Sequence, residues 1–197
     1  MKRIISLLLL IATLIVAAGS LSACGNKPRY VSMKFKNYGE IIIELDYDNA
    51  PITAKNFAKL VKKGFYDGLL LNRAHEDFVL QGGTQKQGMK EPDTIKGEFY
   101  ENGYDNDISH TRGVISMARS NDFNSASSTF FICLSSEKCT QLDGSYAGFG
   151  RVIEGMDVVD AIVEAMLPYG YSMGFVYYEQ YCVVIEEATI LSDYSKD

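Results

Sequence analysis

The chain has 197 residues, of which 47% are hydrophobic and 22% are charged, and these values are typical of one globular domain with a few additional segments. Its formal net charge is −6 and it contains no extended basic run, so we expect no nucleic-acid partner.

The N-terminus has the pattern of a signal peptide rather than of a folded domain. A basic start at residues 1–3 is followed by an apolar run over residues 4–18. This run is short for a membrane span and suits the apolar region of a signal peptide. It leads to Leu21-Ser22-Ala23-Cys24, which resembles a bacterial lipoprotein signal. The resemblance implies cleavage before Cys24 and lipid on its sulfur, with plain secretion and a free Cys24 as the alternative.

This interpretation divides the chain into three segments. Residues 1–23 are the signal peptide, residues 24–29 the lipidated cysteine and a short linker, and residues 30–194 the folded domain. Processing would remove two basic residues and no acidic one, which changes the net charge to −8. Such a domain has little attraction for anionic lipid, so its anchor would have to be covalent. We expect an exported protein at the outer face of the bacterial cell membrane.

Three cysteines remain after Cys24, and none belongs to a Cys-x-x-Cys pair. With no histidine close to them in sequence, a metal site is not expected. Cys133 lies in an apolar, strand-like run and is predicted to be a buried thiol. Export permits a disulfide, and Cys139–Cys182 is a possible pair that the sequence does not establish.

Short strands and two helices follow one another along the domain. Strands are predicted over residues 30–36, 40–47, 113–118, 129–134, 148–153 and 182–191, and a further strand begins at residue 69 and leads into Arg73. One helix begins at Pro51 and ends at Gly64, with an apolar stripe of Ile52, Phe57, Leu60 and Val61. The other covers residues 155–166, with a stripe of Met156, Val159, Ile162 and Val163. This pattern predicts a mainly β fold, a closed barrel capped by helices.

The stretch from Arg73 to Gly83 combines a cation, an apolar run, an amide and two glycines. Read as one strand, it would place Arg73, Val79 and Gln81 on one face and turn Leu80 into the core. The paired glycines would allow the backbone to turn sharply or to approach a ligand closely. By itself the stretch is also compatible with an ordinary amphipathic strand carrying a solvated arginine.

A series of ordered motifs across residues 30–191 resembles the cyclophilin family of peptidyl-prolyl cis-trans isomerases. The motifs are Arg73, Phe78-Val-Leu-Gln-Gly-Gly83, Arg112-Gly113, Ser116-Met-Ala118, Ser128-Thr-Phe-Phe-Ile132, Leu142-Asp-Gly144, Phe149-Gly-Arg-Val152 and Glu154-Gly-Met-Asp-Val158. The resemblance implies an eight-stranded antiparallel barrel with a helix over each open end. It also implies a monomer that acts on proline-containing polypeptides without a cofactor.

The resemblance gives Arg73 a physical task. Rotation about a prolyl peptide bond has a barrier of about 18–20 kcal/mol, because the bond has partial double-bond character. In the twisted transition state the proline nitrogen regains a lone pair. A donor aimed at that nitrogen binds the transition state better than the planar ground state. The implied catalytic residues are Arg73, Phe78 and Gln81, of which Gln81 would hydrogen-bond the substrate backbone.

The substrate-binding residues that the resemblance implies are Val79, Ala118, Arg119, Thr129, Phe131, Gln141, Leu142 and Tyr146. Among them, Val79, Phe131 and Leu142 would line the proline pocket together with Phe78. Four positions depart from the common family pattern. Thr129 replaces a glutamine, Val79 a methionine, Tyr146 a histidine and Gln141 an apolar residue, and these changes affect the expected affinity more than the expected activity.

Two other readings compete with an isomerase. One is a non-catalytic, proline-peptide-binding or chaperone-like scaffold lipoprotein, for which Thr129 leaves room. The other is a hydrolase, because residues 170–174 match Gly-x-Ser-x-Gly. That motif needs a preceding strand and a later histidine, whereas here a helix precedes it and both His75 and His110 come earlier. Both histidines are therefore predicted to be structural.

Overall fold

The computed structural model describes Lys27 and residues 29–194. The predicted signal peptide, Cys24 and most of the predicted linker lie outside the described residues. Within the described part of the chain, no helix has the length and apolar content needed to cross a bilayer.

Eight antiparallel strands close into a barrel, as predicted. The strands are β1 Tyr30–Phe35, β2 Gly39–Leu45, β3 Leu70–His75, β4 Val79–Gly82, β5 Val114–Met117, β6 Phe130–Cys133, β7 Gly148–Glu154 and β8 Val183–Leu191. Their order around the barrel is β1-β2-β7-β5-β6-β4-β3-β8. The α-helices of the described residues are α1 Pro51–Lys62, α2 Ser136–Cys139 and α3 Met156–Met166. The one-turn helix α2 was not predicted.

Apolar side chains at alternate positions of the strands fill the barrel interior. On β1, the predicted inward residues Val31, Met33 and Phe35 are at most 1% exposed. Helix α1 contributes Phe57, whose ring lies 5.0 Å from that of Phe149 and 5.8 Å from that of Phe130. Aromatic pairs of this kind add stabilisation beyond the buried area. Helix α1 therefore closes the barrel by completing an aromatic core.

The apolar stripe predicted for α1 is wrong at Ile52, which is 40% exposed. The first turn is fixed by a distant residue, Glu98, whose carboxylate accepts the N–H groups of Ile52 at 2.9 Å and Thr53 at 2.7 Å. It also accepts the Thr53 hydroxyl at 2.6 Å. Because Thr53 turns inward to meet Glu98, Ile52 turns towards solvent. The buried face consists of Thr53, Ala54, Phe57, Ala58, Leu60 and Val61.

Helix α3 packs against β2 and β3. Its predicted stripe is correct in its centre, where Val159 and Ile162 are buried, while Met156 and Val163 are half-buried. Met166 is also buried and extends the apolar face at the C-terminal end.

The stretch from Arg73 to Gly83 is a hairpin rather than the single strand predicted. The chain turns between β3 and β4, with Asp77 at φ 54°. Arg73 then pairs with Gln81 across the two strands, and His75 pairs with Val79. Because paired residues share a face of a sheet, the predicted grouping of Arg73, Val79 and Gln81 is correct for a different reason. At Gly82 a Cβ would lie 2.5 Å from the carbonyl oxygen of Leu70, so this glycine allows a close approach of β3 and β4.

Cys133, Cys139 and Cys182, the cysteines of the described part of the chain, are free thiols. The possible Cys139–Cys182 bridge is not formed, because Cys139 lies beside Cys133 instead. The Cys139 thiol donates to the carbonyl oxygen of Phe78 at 2.9 Å. The hydrogen bond with Cys139 and burial raise the pKa of the Cys133 thiol, which therefore stays protonated. The prediction that Cys133 is a buried thiol is confirmed.

Candidate active site

Three residues of the predicted site form one row across neighbouring strands, together with Ser116. Ser116 on β5 pairs with Phe131 on β6, and Phe131 pairs with Gln81 on β4. Gln81 in turn pairs with Arg73 on β3. Since paired residues share a face, the barrel brings an aromatic ring, an amide and a guanidinium into register on one surface.

Arg73 is held from two sides. Its Nη1 donates to Gln81 Oε1 at 3.1 Å, and its Nε donates to the carbonyl oxygen of Met173 at 2.8 Å. Met173 belongs to the connection between α3 and β8, to which the sequence assigned no role. These bonds use two of the five N–H donors of a guanidinium. Within the described part of the chain, Nη2 has no hydrogen-bond acceptor, so an ordered cationic group presents free donors.

The guanidinium also lies against two aromatic rings. Its Cζ is 5.0 Å from the ring centre of Phe175 and 6.0 Å from that of Phe78. Partial burial lowers the pKa of Arg73, and the nearby Tyr146 opposes this shift. An arginine starts from so high a pKa that it stays charged at neutral pH. The site therefore holds a permanent cation in a partly shielded position.

An apolar cluster beside Arg73 is separate from the barrel core. Buried Val79 and Phe131 lie in it with half-buried Phe78, Ala118, Leu142 and Tyr146. At its centre, the rings of Phe131 and Tyr146 meet edge to face with 5.7 Å between their centres. The structure thus brings six of the predicted site residues together, and their roles in substrate binding remain predictions.

Arg119 lies at the border of this cluster, on a platform of aromatic rings. Its Cζ is 4.7 Å from the ring centre of Tyr146, 4.9 Å from that of Phe123 and 5.1 Å from that of Phe99. Its Nε donates to the carbonyl oxygen of Ser145 at 2.9 Å. Arg119 therefore fixes the loop that carries Tyr146.

Thr129 and Gln141 take less central positions. The hydroxyl of Thr129 lies 3.1 Å from that of Thr84. The amide of Gln141 turns back to the carbonyl oxygen of Lys138 at 2.7 Å. Gln141 is exposed and is not part of the apolar cluster that the described residues form.

A polar chain beneath Phe131 was missed by the sequence reasoning. His110 is 1% exposed, and its Nδ1 lies 2.8 Å from Asp143 Oδ1 and its Nε2 2.9 Å from Ser116 Oγ. A carboxylate only accepts hydrogen bonds, so Nδ1 carries a proton and Nε2 accepts from the Ser116 hydroxyl. The imidazole stacks on Phe131 with 6.1 Å between ring centres.

This Asp-His-Ser order resembles a hydrolase triad, but Ser116 is 0% exposed, so no substrate reaches its hydroxyl. The chain therefore supports the floor of the apolar cluster, and the prediction that His110 is structural is confirmed. The three residues are distant in sequence, and only the fold brings them together.

Burial of His110 makes the stability of the fold depend on pH. Burial lowers the pKa of His110 although its contacts with Asp143 act to raise it. As the pH falls below about 6.5, the unfolded chain takes up a proton that the folded chain refuses, so stability is lost. Urea unfolding should give a lower free energy of unfolding at about pH 5.5 than at about pH 7.5.

His110→Gln should reduce this difference, although it also lowers stability overall. His75→Gln, which leaves the His110 contacts intact, is the matched control and should retain the wild-type difference. An unchanged pH dependence in His110→Gln would show that His110 does not cause the loss of stability at low pH.

The candidate site does not coincide with a cavity of about 1120 Å³ elsewhere on the barrel. That cavity is lined by Arg29, Asp46 and Tyr194, among others, and by none of the predicted site residues. In the described part of the chain, no group of three or more His, Cys, Asp or Glu residues could hold a metal ion. The groups that the structure places at Arg73 are a cation, an amide and an apolar surface.

Comparison with known proteins agrees with this geometry. The family model described as cyclophilin type peptidyl-prolyl cis-trans isomerase/CLD matches residues 30–172. A peptidyl-prolyl cis-trans isomerase of Acinetobacter baylyi is 43% identical over 135 residues, which are 67% of this chain and 70% of that protein. Another, from Streptomyces antibioticus, is 38% identical over 159 residues, which are 78% of this chain and 93% of that protein.

A solved structure shares the architecture. The crystal structure of a Cryptosporidium parvum cyclophilin type isomerase, determined in the presence of the dipeptide Ala-Pro, superposes with a TM-score of 0.68. The two sequences are 25% identical, and the match covers 83% of this chain and 99% of that chain.

Proposed function

Because this chain belongs to the cyclophilin family of peptidyl-prolyl cis-trans isomerases and is an isomerase of that class, we propose that it accelerates the rotation of X-Pro bonds in proteins that fold outside the bacterial cytoplasm. The main support for this proposal is the position of Arg73, an ordered cation with free donors beside an apolar cluster. This arrangement favours catalysis over a purely peptide-binding scaffold.

The proline ring of the client binds the apolar cluster. Phe131 forms its floor, and Phe78, another member of the cluster, lies with its ring centre 6.0 Å from Cζ of Arg73. A proline seated there presents its nitrogen towards the guanidinium. Gln81, which accepts from Nη1 of Arg73 at 3.1 Å, retains its amide N–H groups for the client backbone.

Catalysis follows from the difference between the planar and twisted peptide bond. In the planar state the proline nitrogen shares its electrons with the carbonyl group and is a poor acceptor. When the bond twists, the nitrogen gains a lone pair and accepts from Nη2 of Arg73. This bond is stronger in the transition state than in the ground state, which lowers the barrier. The step forms no covalent intermediate and moves no proton.

We place this activity at the outer face of the bacterial membrane, with a monomer acting on proline-containing clients. The support is the basic start, the apolar run and Cys24 in register at the N-terminus. The folded domain begins at Tyr30, close to the proposed lipid, so it would lie near the membrane surface.

Replacement of the anchor residue tests this location. Cys24→Ala should release the protein from the membrane fraction or leave it unprocessed, because the proposed lipidation position then has no thiol. Fractionation of cells fed a labelled fatty acid measures both outcomes. Cys182→Ala is the matched control and should leave labelling unchanged. Equal labelling of Cys24→Ala and the unmodified chain would contradict a lipoprotein.

A further inference from the structure

The connection between α3 and β8 carries a cluster of exposed aromatic and apolar side chains. They are Tyr169, Tyr171, Met173, Tyr177, Tyr178 and Tyr181, with 36% to 68% of each side chain exposed. An exposed group of large apolar side chains usually marks an interaction surface. The proposed catalytic mechanism uses none of these side chains.

This connection is docked firmly against β3, next to the catalytic arginine. Phe175 pairs with Arg73, and the N–H of Val176 donates to the carbonyl oxygen of Asn72 at 2.9 Å. Gly174 has φ +79°, and a Cβ there would overlap the carbonyl oxygen of Ala74. The exposed rings on either side of Phe175 therefore stand on a fixed support.

The docking extends the row of site residues by one position. The pairing that joins Phe131 to Gln81 and Gln81 to Arg73 continues from Arg73 to Phe175. Neighbouring strands lie about 4.8 Å apart, so Phe175 is roughly 15 Å from Phe131 along this row. An extended peptide rises about 3.3 Å per residue. A client with its proline on Phe131 thus reaches Phe175 with a residue about four positions away.

Tyr171 and Tyr177 flank the end of this row. The N–H of Tyr171 donates to the carbonyl oxygen of Phe175 at 2.9 Å, and Tyr177 follows Phe175 by two positions. Their rings are in contact, with 5.4 Å between ring centres, and the residues are 56% and 68% exposed. Tyrosine combines a large apolar ring with a hydroxyl, which suits contacts with a polypeptide chain.

We propose that Tyr171 and Tyr177 extend the substrate groove beyond Arg73 and bind the segment of the client that flanks its proline. The occupant is an extended chain with an apolar or aromatic side chain about four residues from the proline. This inference rests on the proposed function, because the client is the substrate of the site. The enzyme would then prefer unfolded segments over short proline peptides.

The test compares a four-residue proline peptide with two longer peptides that carry phenylalanine four positions before or after the proline. Dissociation constants are measured by NMR titration, and isomerisation is measured by exchange NMR. The wild type should bind at least one longer peptide more tightly than the short peptide. The double variant Tyr171→Ser/Tyr177→Ser should weaken that binding roughly tenfold while leaving the short peptide unchanged.

Two further variants exclude a general effect on the loop. Tyr169→Ser/Tyr178→Ser removes two exposed tyrosines that contact Tyr181 rather than each other, and it should bind like the wild type. Tyr171→Phe/Tyr177→Phe keeps both rings and should retain most of the affinity. Circular dichroism confirms folding of each variant.

Equal affinity of the wild type and the serine double variant for the longer peptides would overturn the proposal. Loss of binding to phosphatidylglycerol vesicles without a change for the peptides would also overturn it, because the surface would then face the membrane. Failure of the proposed function is a separate result, since it would show as absent isomerisation of every peptide while titration still reports binding.

Discussion

Arg73→Ala should lower kcat/KM for isomerisation of a proline peptide by on the order of 10- to 100-fold or more, with the fold intact. One charge-assisted hydrogen bond contributes about 1.5–3 kcal/mol, and partial shielding of Arg73 strengthens it. The substitution should weaken binding of the planar ground-state peptide much less, because the proline nitrogen accepts only when the bond is twisted. Exchange NMR measures the rate, and titration with the same peptide measures the binding.

The structure explains why lysine should not replace Arg73. The present guanidinium uses Nε for Met173 and Nη1 for Gln81, which leaves Nη2 in a fixed direction. An ammonium group on a flexible stem cannot make both bonds and still present a donor in that direction. Arg73→Lys should therefore recover little activity.

Arg29→Ala is the matched control for Arg73→Ala. Arg29 is a surface arginine whose side chain pairs with Glu44 and is 68% exposed. Its loss should leave the isomerisation rate unchanged. A folded Arg73→Ala protein with wild-type exchange rates would remove Arg73 from the mechanism.

Glu98→Ala should lower the free energy of unfolding by about 2–4 kcal/mol. Glu98 is 0% exposed and accepts three hydrogen bonds from Ile52 and Thr53. Its removal leaves the two Thr53 donors unpaired in a buried place. It also removes a negative charge from the positive end of the α1 dipole. Urea unfolding should show a lower midpoint with an unchanged slope.

Glu98→Gln removes the negative charge of the side chain but keeps nearly the same shape, so it tests the two contributions separately. Glutamine keeps one acceptor oxygen but points an N–H group at a donor. The free energy of unfolding of Glu98→Gln should therefore lie between those of the wild type and Glu98→Ala. Glu186→Ala on β8 removes an exposed carboxylate and should change stability by less than about 0.5 kcal/mol. A Glu98→Ala protein as stable as the Glu186→Ala protein would show that α1 does not depend on this cap.

Local patterns predicted most of the architecture because the signals lie within single elements. The alternation of Val31, Met33 and Phe35 places β1 with one face inside the barrel, and the spacing of Phe57, Leu60 and Val61 defines the buried side of α1. Each of these patterns depends on the period of its own strand or helix. The closed barrel then follows from many short strands that need a shared core.

Features that depend on distant residues could not be predicted in the same way. The cap of α1 comes from Glu98, which lies 45 residues from Thr53, while Ala50 at the local cap position offers no side-chain acceptor. The one-turn helix α2 begins after Ser135, whose hydroxyl accepts from the N–H of Lys138, and its four residues are too few to show a period.

The candidate site was found through ordered motifs rather than through chemistry visible in one segment. Its guanidinium and its amide lie on two strands of a hairpin whose turn contains Asp77 with positive φ, and no Asn-Gly or Asp-Gly signal marks that turn. The contact between Arg73 and Met173 joins residues 100 positions apart, so no local sequence pattern predicts it.

The connection between α3 and β8 also completes the backbone pairing of β3. Strand β8 pairs with β3 only at Leu70 and Leu71, and beyond this point Phe175 and Val176 take over the partner position. Without them, β3 would present an unpaired edge beside Arg73. Such an edge invites an extended client to add itself as an extra strand, which leads to trapping or aggregation. Because Phe175 and Val176 cover this edge, an extended peptide cannot pair with β3 as an extra strand at this position.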